Sequence, residues 1–258
     1  LGLTRYHDLA ASAVETILLV FETSIFYLIS CFFVLRKEAK PRAICWWILI
    51  FALCSRAILA PAPPTLSEDL YRYRWEGRVQ LAGGHPYTAA PMDERWRELR
   101  DETYPRLAGK DIRFGYGPLW CEVEKATARL AAWATPDAGA QVLLFKLPAA
   151  AADLGVIAAL MWVLNLYGLA RERVLMYAWC PLVTIEFWHS GHNDALMVLF
   201  LVLALGCAQK EWWLAAGAMV GLAAMVKIWP VFLLPLLFAY ARRWSVWAGA
   251  AAVALPFT

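Results

Sequence analysis

Eight apolar stretches of the sequence constrain its fold more than any other feature. A transmembrane helix needs about 20 consecutive, mostly apolar residues. The 258 residues are 61% hydrophobic and 17% charged, whereas soluble domains are about 45–50% apolar and about 25% charged. We therefore predict an all-α fold, a polytopic bundle of membrane-spanning helices. The stretches lie near residues 12–35, 43–60, 141–166, 174–189, 193–208, 212–226, 228–240 and 244–258.

Basic residues occur in every second turn between these stretches. Cytoplasmic loops carry an excess of lysine and arginine, so we assign these turns to the cytoplasm and the protein to the plasma (inner) membrane. The long segment 61–140, the link His189–Asp194 and the turn at Lys227 then share the exoplasmic (periplasmic) side. The basic residues are Arg36, Lys37, Lys40, Arg42, Arg171, Arg173, Lys210, Arg242 and Arg243.

Charge and cysteine content exclude two classes of function. The net charge of +3 is dispersed and includes no basic block of the kind that binds phosphate backbones, so no nucleic-acid partner is expected. Five of the six cysteines lie in apolar stretches and none forms a CxxC pair. This leaves no disulfide framework and no cysteine-based metal site.

The chain divides into two parts of unequal size. It begins at Leu1 rather than Met, and its last apolar stretch stops at Thr258 without closing charges, so we expect a fragment. Residues 1–42 are predicted to form an extra N-terminal span and a cytoplasmic loop. Residues 43–258 form the main transmembrane module, with 61–140 as its exoplasmic loop.

The long segment 61–140 carries the signals of a folded loop with interfacial helices. Thr65 followed by Glu68 matches a capping box, so we predict a helix over 66–81 that is amphipathic and lies at the membrane surface. Charged residues over 93–102 predict a second helical stretch, and the glycines and proline of 115–118 predict a turn.

Asp69 is the leading candidate for a catalytic residue. It is followed by Arg72, Tyr73, Glu76 and Arg78, a mixture that suits a sugar together with a phosphate. Aromatic rings bind the C–H faces of sugars, arginines neutralise phosphates, and a carboxylate can serve as general base. In the alternative interpretation, Asp69 only stabilises the helix dipole.

Two further polar clusters share the predicted exoplasmic side. In the segment 190–194, Asn193 or Asp194 caps the next helix in one interpretation, whereas His192 and Asp194 bind substrate in the other. The spacing of His192 and Asp194 is too unspecific to predict a metal site. Lys227 either extends to the interface, as lysines at helix ends do, or pairs with a lipid-linked phosphate.

Ionisable residues inside the apolar stretches need a polar environment, because charges are costly in hydrocarbon. We expect them to face protein or a water-filled cavity, with structural pairing possible among Arg56, Asp153 and Glu186. They also suggest a transporter of lipids or solutes, but transporters tend to carry inverted repeats, and none is visible. The residues are Glu15, Glu22, Arg56, Lys146, Asp153 and Glu186.

Four motifs, in the same order, resemble the signatures of one family. They are Pro64 to Arg78 with Gly84-His85-Pro86-Tyr87 and Ala90-Pro91; Tyr116-Gly117-Pro118-Leu119; Ser190-Gly191-His192-Asn193-Asp194; and Met225-Val226-Lys227-Ile228-Trp229-Pro230. Together they resemble the GT-C type, polyprenyl-phosphate-sugar-dependent membrane glycosyltransferases of the bacterial mannosyltransferase-like branch. The resemblance covers residues 43–240.

The resemblance implies an enzyme that moves a sugar, in the first place a mannose-like hexose, from a polyprenyl phosphate to an exoplasmic acceptor with inversion. Asp69 is then the general base, and neither a metal nor a cofactor is implied. The expected partners are membrane lipids, the polyprenyl-phosphate sugar and a glycan or glycolipid acceptor. The substrate-binding residues would be Arg72, Tyr73, Glu76, Arg78, Tyr87, Tyr116, His192, Asp194 and Lys227.

The sequence also departs from this family pattern. Glu76 replaces the usual Asp before Gly-Arg and His85 a common Asn before Pro-Tyr, which indicates a changed sugar or acceptor, and C-terminal helices are expected to be missing. A non-catalytic GT-C-like subunit or scaffold of a larger membrane complex is therefore an alternative. An enzyme should have an exoplasmic cavity with Asp69 at its floor and a lateral opening for a lipid tail, whereas a scaffold should have that cavity collapsed or filled.

Overall fold

A computed structural model describes residues 9–36, 43–88 and 90–257 of the chain. Within these ranges the regular structure is helical throughout, so the prediction of an all-α fold is confirmed. Lys37, Lys40 and Arg42 of the first predicted basic turn lie outside the described residues.

Most apolar stretches form helices close to the predicted bounds. The N-terminal part contains α1 (Ala13–Arg36), α2 (Ala43–Leu59), α3 (Asp69–Leu81), α4 (Pro118–Ala134), α5 (Ala138–Leu144) and α6 (Leu147–Leu166). The C-terminal part contains α7 (Leu175–Ala178), α8 (Pro181–Thr184), α9 (Asp194–Gln209), α10 (Trp213–Ala224), α11 (Leu233–Ala241) and α12 (Ser245–Ala254). Short 3-10 helices lie at Glu94–Leu99, Tyr104–Arg106, Arg171–Val174, Trp229–Phe232 and Leu255–Phe257.

Two helices are long and apolar enough to cross a membrane by length and composition alone. They are Ala13–Arg36 and the combined helix Ala138–Leu166, in which α5 continues into α6. The other apolar helices have 10–17 residues, less than the about 20 residues of a typical span. The lengths of the helices therefore show a helical bundle but do not set the number of membrane crossings.

The predicted span over 174–189 is wrong as a continuous helix. The chain there forms α7, then α8, and then a π-helical turn at Ile185–His189. Pro181 begins α8, and Cys180 before it is extended, with φ −61° and ψ 118°. A residue that precedes proline avoids the helical conformation, so the helix is interrupted at this point.

Helix α3 begins later than predicted and is not capped by a capping box. The Thr65 hydroxyl instead accepts a hydrogen bond from the Leu9 N–H at 3.0 Å, and Glu68 makes no side-chain cap bond. The helix starts at Asp69, whose N–H donates to Ser67 Oγ at 3.2 Å. The predicted end at Leu81 is confirmed.

The prediction that this helix is amphipathic is wrong, whereas its position relative to a membrane surface stays a prediction. Its buried residues include the charged Arg72, Arg74 and Glu76 as well as the apolar ones. The cause is that α4, α5 and the 3-10 helix Glu94–Leu99 all pack against it. The predicted second helical stretch over 93–102 is this 3-10 helix, with Asp93 as its N-cap.

The predicted pairing of Arg56 with Asp153 is confirmed. Arg56 Nε lies 2.6 Å from Asp153 Oδ2, and both side chains are fully buried. Asp153 also accepts hydrogen bonds from the Tyr177 hydroxyl and the Trp188 indole N–H, each at 2.8 Å. These two of the charges that suggested transport thus neutralise each other inside the protein.

The other ionisable residues of the apolar stretches have different environments. Lys146 is buried and donates to the carbonyl of Ala62 at 2.5 Å, as expected of a charge that faces protein. The same expectation is wrong for Glu15 and Glu22, which are exposed. Their helix, α1, lies at the edge of the bundle and has few buried residues.

Three distant parts of the chain meet at the N-terminal end of α3. The Gly117 N–H donates to the Val226 carbonyl at 3.0 Å, which joins the turn before α4 to the end of α10. Gly191, with φ +69°, lies against the side chain of Leu70. Any side chain at Gly191 would meet Leu70 and strain the backbone, so this contact brings the segment 190–194 to α3.

Candidate active site

The Asp69 carboxylate is held in place by two tyrosines. Its Oδ2 atom accepts hydrogen bonds from the Tyr116 hydroxyl at 3.0 Å and the Tyr73 hydroxyl at 3.2 Å. Tyr73 is fully buried and its ring packs edge-to-face on Tyr116, with centroids 5.4 Å apart. The Asp69 side chain is 35% exposed, so a fixed carboxylate is presented to solvent.

Both tyrosines remain hydrogen-bond donors over the physiological pH range. Burial raises the pKa of Tyr73 and of Tyr116 above the usual tyrosine value, and the negative charge of Asp69 raises both further. A protonated hydroxyl can donate to a carboxylate but cannot act as a base. Asp69 is therefore the acceptor in this cluster.

His192 lies beside Asp69 and connects two elements. Its Nε2 atom is 2.8 Å from Ser67 Oγ and 3.7 Å from Asp69 Oδ2, and its Nδ1 atom contacts the Glu186 carboxylate. Burial alone would lower the pKa of His192, but Glu186, Asp69 and Asp194 raise it above the usual value. The surroundings therefore favour the positively charged imidazolium.

Lys227 supplies the second positive group of the cluster. Its ammonium contacts both carboxylate oxygens of Asp194, at 2.8 and 2.7 Å. It also lies 5.9 Å from the centroid of the Tyr116 ring. Lys227 and Asp194 are about one third exposed, so an anion from solvent can compete with Asp194 for the ammonium.

The capping role considered for Asn193 is not confirmed. Asn193 occupies the N-cap position of α9 but makes no side-chain cap bond. Its side chain is fully buried, and neither its amide oxygen nor its amide nitrogen has a hydrogen-bond partner among the described residues. Asp194 is the first residue of α9, where its carboxylate pairs with Lys227.

The structure brings six of the ten predicted site residues into one cluster. Ser67 and Glu186 complete it through His192, and the sequence reasoning did not place either of them in the site. Tyr87 lies beside the cluster, because its hydroxyl donates to the Tyr116 carbonyl at 2.7 Å. The six residues are Asp69, Tyr73, Tyr116, His192, Asp194 and Lys227.

Three predicted substrate-binding residues have other partners. Arg72 donates to the carbonyls of Gly109 and Ile112 at 2.6 and 2.7 Å and pairs with Glu76 at 2.5 Å. Arg78 pairs with Asp101 at 2.6 Å. In the described structure, these side chains hold the long loop against α3 and are not part of the Asp69 cluster.

A pair of buried carboxyl groups lies between α3 and α4. Glu76 and Glu124 are almost fully buried, and α3 and α4 approach so closely that a Cβ on Gly77 would lie 2.6 Å from the Glu124 carbonyl. Burial raises the pKa of Glu76 to about 7, although the adjacent Arg72 opposes the shift. Burial and the nearby Glu76 raise the pKa of Glu124 as well.

The cluster offers charged groups rather than a metal-ligand set. Among the described residues, no group of three or more His, Cys, Asp and Glu side chains is arranged to hold a metal ion. The positive groups beside Asp69 are the His192 imidazole and the Lys227 ammonium. These two side chains are the ones available to neutralise a bound anion.

Three of the cavities between the described residues are prominent. The first lies between α1, α2 and α8, the second beside Arg74 and Arg78, and the third between α1, α2 and α7. Asp69 lines none of these three.

Comparison with known proteins gives one family. The sequence profile described as alpha-(1->6)-mannopyranosyltransferase, N-terminal domain, matches residues 3–243. Over 108 residues the chain is 38% identical to a polyprenol-phosphate-mannose-dependent alpha-(1-2)-phosphatidylinositol pentamannoside mannosyltransferase from Mycolicibacterium smegmatis. That match covers 39% of this chain and 26% of the relative, so the chain spans about a quarter of the curated relative's length. No solved structure matches the chain significantly.

Proposed function

The chain belongs to the alpha-(1->6)-mannopyranosyltransferase family, whose N-terminal domain it matches, and we propose that it transfers mannose from a polyprenyl-phosphate donor to a glycan or glycolipid acceptor. The relative from Mycolicibacterium smegmatis is named for a polyprenol-phosphate-mannose donor and a phosphatidylinositol mannoside acceptor. Its name supports a lipid-linked partner on both sides of the reaction. No cofactor is part of the proposal.

The proposed enzyme is a polytopic protein of the plasma (inner) membrane with its site on the exoplasmic face. The positive-inside rule assigns Asp69, His192 and Lys227 to one side of the membrane, and these residues form one cluster. The apolar surface of α1, with Phe21 and Phe26 more than 60% exposed, supports contact with lipid.

In the proposed mechanism, Asp69 is the general base. The acceptor hydroxyl attacks the anomeric carbon of mannose from the face opposite the phosphate, and its proton passes to the Asp69 carboxylate. The bond between the anomeric carbon and the phosphate oxygen breaks, and polyprenyl phosphate leaves with the electron pair, which gives inversion. Both tyrosines bind Oδ2, so Oδ1 is the oxygen assigned to the proton.

The leaving group needs charge neutralisation rather than protonation, because a phosphate is already a good leaving group. His192 and Lys227 would supply this charge, and fixed groups aimed at developing charge lower the barrier effectively. In the described structure the Lys227 ammonium is already paired with the Asp194 carboxylate. The donor phosphate would compete for that position when it binds.

The observation that carries the proposal is the exposed Asp69 carboxylate fixed by Tyr73 and Tyr116 beside His192. The test incubates the purified protein with polyprenyl phosphates of mannose, glucose, galactose and arabinose and a panel of glycolipid acceptors. Mannose transfer is expected. Asp69→Asn should lower it by about 10²–10⁴-fold without changing thermal unfolding, and full activity in that variant would contradict the assignment.

Glu94→Gln is the matched control for this substitution. Glu94 is a carboxylate of the same loop, its side chain is 76% exposed, and its contact to Arg100 is 3.5 Å long. Exposed pairs of this kind contribute about 0–1 kcal/mol, so transfer by the control should equal that of the wild type. Equal losses in the two variants would show a general effect of charge removal.

A non-catalytic scaffold is the second candidate, and one observation favours it. The Lys227 ammonium is already paired with the Asp194 carboxylate, as expected of a site that is filled by its own side chains. A scaffold would transfer none of the four sugars and would co-purify with a catalytic membrane subunit. Transfer by the purified chain alone would exclude this candidate.

A further inference from the structure

The cavity between α1, α2 and α8 lies outside the Asp69 cluster. Its volume is about 490 Å³, within the range of about 300–1,000 Å³ that is typical of ligand sites. Phe26 and Tyr27 of α1 form one wall and Phe51 of α2 forms another. Trp179 also lines the cavity and packs against Phe51, with ring centroids 4.6 Å apart.

The polar side chains of this cavity have their donors already engaged. Six of them carry a hydroxyl or an indole N–H, and each donates to a backbone carbonyl; only Cys54 adds a weak thiol donor. An unpaired polar group is costly to bury against an apolar ligand, and here that cost does not arise. The six are Thr23, Tyr27, Ser30, Ser55, Trp179 and Thr184.

One end of the cavity adjoins the charged cluster. Thr184 and Ile185 line the cavity, and the next residue along the chain is Glu186, whose carboxylate contacts His192. Leu59 lines it from the last turn of α2, ten residues before Asp69. The Ile185 carbonyl accepts a hydrogen bond from the Ser190 N–H at 2.9 Å, so this end of the cavity lies against the segment that carries His192.

We propose that this cavity binds the isoprenoid chain of the polyprenyl phosphate, with the phosphate end directed toward His192. A long hydrocarbon with one charged end matches an apolar cavity that adjoins a positively charged side chain, and the proposal rests on the proposed function for the identity of the lipid. It also assigns a role to α1, the extra N-terminal span, as one wall of a binding site. The aromatic walls suit the flat double bonds of an isoprenoid.

The cavity between α1, α2 and α7 provides an internal control. Its volume is about 370 Å³, and Val34, Ile44 and Trp47 contribute to its walls. It lies along the first half of α2, whereas the proposed lipid site lies along the second half, which leads to Asp69. Unspecific insertion of hydrocarbon should occupy both cavities equally.

The test maps a photoreactive lipid on the wild-type protein. Polyprenyl phosphate with a diazirine in its hydrocarbon chain is mixed with the purified protein in detergent micelles and irradiated, and the labelled peptides are identified by mass spectrometry. Label is expected at Phe26, Tyr27 and Phe51, with competition by unlabelled polyprenyl phosphate. Equal labelling at Val34 and Ile44, or equal competition by phosphatidylglycerol, would overturn the proposal.

A filled cavity gives the second measurement. Ser55→Trp should reduce labelling at Phe26 at least tenfold, whereas Ile44→Trp, in the control cavity, should leave it unchanged; retained labelling in folded Ser55→Trp would overturn the proposal. If that variant does not fold, the wild-type map decides. Labelling requires no sugar transfer. Specific labelling of the cavity without mannose transfer would therefore reject only the proposed enzymatic activity, and transfer without specific labelling would reject only the proposed lipid site.

Discussion

The Tyr116 hydroxyl donates a hydrogen bond to Asp69 Oδ2 at 3.0 Å, although 47 residues separate the two along the chain. Tyr116 belongs to the turn that is hydrogen-bonded to the end of α10, and Asp69 is the first residue of α3. Their distance therefore depends on the packing of three helices. Substitutions that disturb this packing should affect the site as strongly as substitutions within it.

Tyr116→Phe removes this hydrogen bond and keeps the ring. Bonds to charged groups contribute about 1.5–3 kcal/mol, so loss of the donor should lower kcat for mannose transfer by about tenfold because Asp69 is less well positioned. The free energy of unfolding should fall by no more than this amount, since the ring still packs on Tyr73. Tyr104→Phe, which loses only a long 3.4 Å bond to the Pro91 carbonyl, is the control, and an equal kcat in both variants would contradict the prediction.

Lys227→Ala tests the phosphate role of the ammonium. Donor KM should rise about tenfold or more with little change in acceptor KM, because hydrogen bonds to charged groups contribute about 1.5–3 kcal/mol and the ammonium would contact only the donor. Steady-state kinetics with each substrate varied in turn measures both constants. Lys125→Ala, in α4, is the matched control, and a change confined to acceptor KM would count against the phosphate role.

Part of the site follows from the sequence by simple periodicity. Asp69 and Tyr73 are four residues apart, so any helix through them places both on one face, and the hydrogen bond between them agrees. The same rule groups Arg72 with Glu76, but it does not say which face meets protein. The loop folds over both faces, and only the tertiary structure shows that Arg72 bonds to Gly109 and Ile112.

The break at Pro181 is visible in the sequence, whereas the two contacts that His192 makes in the site are not. Pro181 is a visible break in the apolar stretch 174–189, so the interruption there was predictable. The contact of Glu186 with His192 was not, because it depends on the π-helical turn Ile185–His189, which contains Glu186. Ser67 likewise enters the site through His192, a contact between residues 125 positions apart.

Glu76→Gln should remove a pH dependence of stability. Burial raises the pKa of Glu76 from 4.5 to about 7, so the folded protein binds this proton more tightly than the unfolded chain does. The resulting stability is fully present below about pH 4.5 and is lost as pH rises to about 7, a difference of roughly 3 kcal/mol in the free energy of unfolding. Denaturant unfolding in detergent from pH 4.5 to 8 measures it.

The variant should show a flatter profile over this pH range than the wild type. Glu122→Gln, an exposed carboxylate of α4, controls for the loss of one negative charge and should keep the wild-type slope. Glu124 and Arg72 face the same site and remain in both variants. If Glu76→Gln retains the full wild-type slope, the pH dependence arises elsewhere in the protein.

Gly117→Ala should separate Tyr116 from Lys227. A Cβ at this position would lie 2.0 Å from the Met225 carbonyl oxygen, and because that atom is backbone, the turn must move off the end of α10. Overpacking of this kind costs about 1–3 kcal/mol, and transfer should fall more than tenfold because Tyr116 no longer meets Asp69. Gly115→Ala is the matched control, since nothing lies within 4 Å of its added Cβ. Thermal unfolding and transfer assays on the pair decide the prediction: equal behaviour of the two alanine variants would show that the turn is not docked on α10.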